Sequence, residues 1–121
     1  MEVASVEDFE KLKKLPFFRG VIKSDSMEPL IKVGEKIVVE VGRETLERFD
    51  VIVVWYKGQL TCHFLWAKNV RVSPVLLQTM SLKFLDKDYP IPMEAYLGKV
   101  VSHRLSFFHK LRILFHQLRS R

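Results

Sequence analysis

From residue 19 to 102 the chain alternates short runs rich in β-branched and aromatic residues with turn-forming residues at close intervals. The runs are Val21-Ile22, Lys36–Val41, Val51–Tyr56, 59–66, 75–79 and 97–102. Between them stand Pro29, Gly34, Gly42, Lys57-Gly58, Ser73-Pro74 and the prolines of 90–92. β-branched and aromatic side chains suit a pleated, half-buried surface, whereas Gly and Pro interrupt it. Lys57-Gly58, two residues between two such runs, predicts a tight hairpin. The segment therefore predicts a compact, mainly β domain with neither an internal repeat nor a low-complexity linker.

The two ends read differently. Ser5 followed by Asp8 is a helix-start pattern, and Val6, Phe9, Leu12 and Leu15 share one helical face before Pro16. A short amphipathic helix is expected over 6–14. In the tail, Phe107, Phe108, Leu111, Leu114, Phe115 and Leu118 fall within an arc of about 120°, with His109, Arg112, His116, Gln117 and Arg119 on the other side. The last 16 or so residues predict a basic amphipathic helix. The chain divides into an N-terminal helix and entry segment (1–18), a β domain (19–102) and a C-terminal helical segment (103–121).

With 121 residues there is one domain, able to bury roughly two-thirds of its unfolded surface. A hydrophobic content of 48% and a charged content of 28% are those of a globular protein. The single cysteine, Cys62, excludes an internal disulfide and fits a reducing compartment. The acidic start, with Glu2, Glu7, Asp8 and Glu10, is unlike a secretory leader. The longest apolar run, Val51–Tyr56, is far short of the roughly 20 residues a transmembrane helix needs, so no transmembrane span is expected. Of the net charge of +6, nearly all sits in 103–121, where Arg104, Lys110, Arg112, Arg119 and Arg121 meet no acid.

Chemistry centres on Ser24-Asp25-Ser26-Met27-Glu28-Pro29. A serine hydroxyl becomes a nucleophile only when a turn exposes it and a neighbouring base takes its proton. Ser26 could be presented in that way, with Pro29 fixing the exit; composition alone leaves an ordinary polar turn. His63 is the one histidine outside the tail, and a lone strand histidine is by itself more often structural. An imidazole of ordinary pKa, about 6.5, is mostly neutral at pH 7 and can accept the serine proton.

Ser24-Asp25-Ser26-Met27-Glu28-Pro29, continuing to Gly34-Glu35, resembles the first box of the signal-peptidase/LexA clan of serine peptidases. Further boxes follow in order. Phe49-Asp50-Val51-Ile52-Val53-Val54 is similar to the family's Gly-Asp-Val-Val-Val-Phe strand. Leu60-Thr61-Cys62-His63-Phe64 falls where the family carries its general base, and Leu77-Gln78-Thr79-Met80 resembles its Thr-Lys-Gly-Asp strand. Asp86-Lys87-Asp88 resembles the acidic turn after it, and Leu97-Gly98-Lys99-Val100-Val101 the closing Gly-Lys-Val strand. Three departures stand out: Met80-Ser81-Leu82 replaces Lys-Gly-Asp, Glu35 replaces an aspartate, and Phe49 replaces a glycine.

The resemblance implies a signal-peptidase/LexA-like β-fold and a serine endopeptidase with Ser26 as nucleophile and His63, rather than a lysine, as base. It implies an orienting acid about nine residues after Thr79, which is Asp88, with Asp86 the close competitor. The Ser26 N–H and the Ser24 hydroxyl would form the oxyanion hole. The substrate would be a polypeptide with small residues at the cleavage site, laid along the strand edge at 19–24 and contacting Val21, Ile22, Lys23 and Met27. A catalytically degenerate peptide-binding module of the same fold is the alternative.

No cofactor or metal is called for. The tail suits an anionic membrane surface through 104–121, or packing on its own sheet or a partner subunit. Nucleic acid is not an expected partner. The expected location is the cytoplasm, peripheral at the inner membrane surface.

Overall fold

The computed structural model describes residues 6–42 and 45–119. The expected cap Ser5 and the basic Arg121 lie outside the described residues. The fold is mainly β, with a short N-terminal helix and a C-terminal helix. The elements are α1 (Val6–Leu12), β1 (Phe17–Val21), β2 (Lys36–Val41), β3 (Val51–Tyr56), β4 (Gln59–Asn69), β5 (Leu76–Met80), β6 (Ile91–Pro92), β7 (Tyr96–Val100) and α2 (Phe107–Arg119). A single turn of 3₁₀ helix, Met93–Ala95, leads into β7.

The strands form one curled antiparallel sheet in the order β1-β2-β7-β3-β4-β5-β6. Its centre follows from the least alternating run of the sequence. Val51, Ile52, Val53 and Val54 are all buried, as expected of a strand covered on both faces. Val51 and Val53 join the larger apolar cluster with Phe9, Met27, Phe64 and Leu97, whereas Ile52 and Val54 join the smaller one with Leu65, Leu77 and Tyr96. Each fully buried aliphatic side chain contributes about 1.5–3 kcal/mol of hydrophobic stabilisation.

The β3–β4 hairpin turns at Lys57 and Gly58, whose φ angles of 50° and 78° are those of the tight turn that matches strand twist. Gly98 has a different role. A Cβ there would run into the Glu40 carbonyl oxygen and come within 2.7 Å of a Val39 methyl, so close approach of β7 to β2 requires glycine. Phe49, which stands where the related pattern has glycine, has φ 78°. That left-handed conformation costs a side chain roughly 1–2 kcal/mol, offset here by ring contacts with Phe64 and Trp66 at 6.4 and 6.3 Å.

Several boundaries differ from the sequence reading. α1 ends at Leu12 rather than 14, β4 runs on to Asn69 rather than 66, β5 is Leu76–Met80 rather than 75–79, and β7 is Tyr96–Val100 rather than 97–102. The first strand runs over Phe17–Val21, so Phe17 and Phe18 belong to the sheet; Ile22 lies beyond it, its N–H donating to Glu35 O and its carbonyl accepting from Gly34 N. Within the 90–92 turn region, Ile91–Pro92 forms β6 by pairing with Leu77 and Leu76. In the tail, His103–Ser106 is a non-helical lead whose Leu105 is buried, and the helix starts at Phe107. Ser106 caps it, its hydroxyl accepting from His109 N at 3.2 Å. Among the described residues no helix is long and apolar enough to cross a membrane.

Candidate active site

The segment after β1 is folded into consecutive turns. Glu28 N donates to Asp25 O and Ile31 N to Met27 O, the Glu28-Pro29 peptide is cis, and Met27 is sunk into the core at 1% exposure. An anchored Met27 leaves its neighbour Ser26 half-buried at the surface. Two contacts brace the segment from Lys83. Its backbone N–H donates to Ser26 O at 2.9 Å, and its ammonium pairs with the Asp25 carboxylate. That pairing lowers the pKa of Asp25 and raises that of Lys83.

A cavity of about 280 Å³ opens beside Ser26. One wall is Ile22, Lys23, Ser24, Ser26 and Met27; the other is the β3–β4 hairpin, with Tyr56, Lys57 and residues 59–63. The fold thus brings Ser26 and His63 to one cavity. Ile22 and Met27 serve as wall and core at once, and Lys23 is an exposed rim residue. Val21, expected at the wall, is half-buried at the end of β1, paired with Lys36, and does not line the cavity; its strand ends one residue before the wall begins. The Ser26 hydroxyl lies 3.1 Å from that of Ser24 and shares a hydrogen bond with it.

On the far side of His63 stands Asp88. His63 Nδ1 and Asp88 Oδ2 are 2.6 Å apart, and the histidine is only 9% exposed. A carboxylate at Nδ1 fixes the proton of a neutral imidazole there and leaves the Nε2 lone pair as acceptor. Asp86 is exposed. It is Asp88 that meets the ring, because the chain folds back on β5: Asp88 N donates to Thr79 O at 2.9 Å, and Gln78 Nε2 donates to Asp88 O at 3.1 Å. Thr79 also donates its hydroxyl to Asp88 Oδ2 at 2.6 Å. Burial alone would raise the Asp88 pKa, but the hydrogen bonds from His63 and Thr79, helped by the nearby His63 and Lys57 charges, hold it below the usual carboxylate value.

Cys62 is a second potential nucleophile on the same wall. Burial pushes its thiol up to about 12, so at pH 7 only about one molecule in 10⁵ carries the reactive thiolate.

The sequence reading missed two supporting residues. Thr79 served there only as the origin of a spacing, yet its hydroxyl holds the acid. Lys83 carried no signal, since a backbone N–H is invisible in a sequence. The Met80-Ser81-Leu82 departure is accommodated: Met80 and Leu82 are fully buried, and Ser81 accepts from Phe84 N through its hydroxyl and from Leu85 N through its carbonyl. Glu35 likewise serves its turn, accepting from Lys32 N at 3.2 Å and pairing with His103 at 3.0 Å.

Comparison with known protein families and with curated proteins returns no match for this chain.

Proposed function

We propose that this protein is a serine endopeptidase of the signal-peptidase/LexA type, cleaving a leader- or signal-type peptide bond after small residues. The observation that carries the reading is the 2.6 Å contact of His63 with Asp88 in the wall of a cavity that Ser26 also lines. Ser26 Oγ attacks the scissile carbonyl carbon while His63 Nε2 takes the hydroxyl proton, with Asp88 stabilising the imidazolium. The tetrahedral oxyanion is held by the Ser26 N–H and the Ser24 hydroxyl. Collapse breaks the C–N bond, His63 returns the proton to the departing amine, and water hydrolyses the ester by the same route.

The substrate is an extended polypeptide. β1 is an edge strand that leads into the nucleophile segment, which suits β-augmentation. Ile22 and Met27 supply an apolar floor for small side chains, and Lys23 stands at the rim. The lone, buried Cys62 thiol fits a reducing compartment, and the cytoplasm is the proposed location.

The test is incubation of the protein with leader- and signal-type peptides, comparing wild type with Ser26→Ala and His63→Ala. Cleavage by wild type should fall by at least about 10³-fold in either variant. Equal cleavage by Ser26→Ala would remove Ser26 from the nucleophile's role, and peptide binding without cleavage by wild type would leave only a peptide-binding module of this fold.

A further inference from the structure

The C-terminal helix docks by the side opposite to its apolar face. Its inward stripe is His109, Ile113 and Gln117, spaced by four; Ile113 is fully buried and the other two are half-buried. At 100° per residue this stripe lies about 160° around the helix from the centre of the Phe/Leu arc. The arc is therefore left outside. Phe107, Phe108, Phe115 and Leu118 are 62–79% exposed, and Leu111 and Leu114 are 36% and 40% exposed. Large apolar side chains gathered along one face of a helix mark an interaction surface rather than scattered exposure.

The rim decides the kind of partner. Lys110 borders the arc on one side, Arg112 and Arg119 border it on the other, and Arg104 precedes the helix; no acid occurs from 103 onward. We infer that the outer face of α2 lies in the plane of an anionic lipid surface, with Phe107, Phe108, Phe115 and Leu118 inserted and Arg104, Lys110 and Arg119 among the headgroups. Two copies of this chain meeting face to face would bring like-charged rims together. A nucleic acid would be met by phenylalanines where phosphates need cations. The inner face stays occupied during such docking. Arg112 donates to Leu82 O at 3.2 Å and to Lys83 O at 3.5 Å, so α2 remains tied to the loop that holds Ser26.

The proposal goes beyond the peptidase reading and is tested without reference to catalysis. The full chain is mixed with sedimenting vesicles of phosphatidylglycerol and phosphatidylcholine, or of phosphatidylcholine alone, at low and high salt. Wild type should sediment with the anionic vesicles at low salt, and at least tenfold more weakly with neutral ones or at high salt. Phe108→Ser/Phe115→Ser changes two exposed side chains; it should keep the wild-type melting temperature and bind anionic vesicles at least tenfold more weakly. The idea is overturned if wild type fails to bind anionic vesicles, or if the double variant binds them unchanged. A Phe-dependent dimer without vesicle binding, or binding of duplex DNA without vesicle binding, would equally overturn it and assign the face to that partner.

Discussion

Thr79 and Asp88 are joined twice, once through the backbone, where Asp88 N–H donates to Thr79 O at 2.9 Å, and once through the side chains, where the Thr79 hydroxyl donates to Asp88 Oδ2 at 2.6 Å. The oxygen that accepts from Thr79 is the same one that meets His63 Nδ1. Thr79 thereby sets the angle from which the carboxylate addresses the imidazole. Asp88→Asn should retain the fold but lower kcat by about 10²–10⁴, because an amide can present an N–H to Nδ1 and favour the wrong tautomer. Thr79→Val keeps the shape and removes only the hydroxyl; a loss of about tenfold in kcat with little change in KM is expected. Steady-state kinetics on a cleaved peptide measures both.

Acid should act on Asp88 later than on an ordinary carboxylate. Its folded-state pKa is lowered, so its contribution to stability is complete above the unfolded value of about 3.9 and is lost as pH falls through the lower folded value. The difference in urea midpoint between wild type and Asp88→Asn should therefore be constant from about pH 7 to 5 and shrink below about pH 4. A difference that disappears already between pH 7 and 5 would contradict the assignment.

Cys62 should be silent. With its thiol pushed up to about 12 and its side chain buried, iodoacetamide at pH 8 should not modify the folded protein and should modify it in denaturant. Cys62→Ala should keep peptidase activity within about threefold while costing roughly 1 kcal/mol of stability from the lost packing. A serine-directed fluorophosphonate should label Ser26 in both proteins. Inactivation by thiol reagents in the folded state would move the nucleophile to Cys62.

Arg112 reaches Ser26 through one intermediate, holding the carbonyls of Leu82 and Lys83 while Lys83 N–H holds Ser26 O. Arg112→Ala should speed amide hydrogen exchange at Lys83 by about tenfold and slow fluorophosphonate labelling of Ser26, at a stability cost of about 1–2 kcal/mol. Arg112→Lys, able to reach one carbonyl, should restore part of the labelling rate. Unchanged exchange at Lys83 would confine Arg112 to the helix surface.

Much of this was legible in the chain because it depends on neighbours in sequence. Lys36–Val41 and Val51–Tyr56 are strands with the expected bounds, and Lys57-Gly58 is a tight turn with both φ angles positive. Local chemistry decides such features: β-branched runs and a glycine at the tip leave few alternatives. The spacing from Thr79 to Asp88 came only with the family resemblance, and the residues themselves left Asp88 and Asp86 open. β6 was not readable, since two residues flanked by prolines become a strand only when Leu76 and Leu77 are there to pair with.

By itself, then, the order of residues determined most of the strands and turns, an amphipathic helix at the end, and the types of side chain available for proton transfer. Only the tertiary structure decided which groups meet: Asp88 rather than Asp86 at His63, Lys83 at Ser26, and Ile113 rather than the Phe/Leu arc at the core. The physical reason is that helical periodicity defines faces but not their neighbours. The inward face of α2 follows from contacts made by residues more than 25 positions away, such as Leu82 and Lys83 at Arg112. No local pattern encodes them.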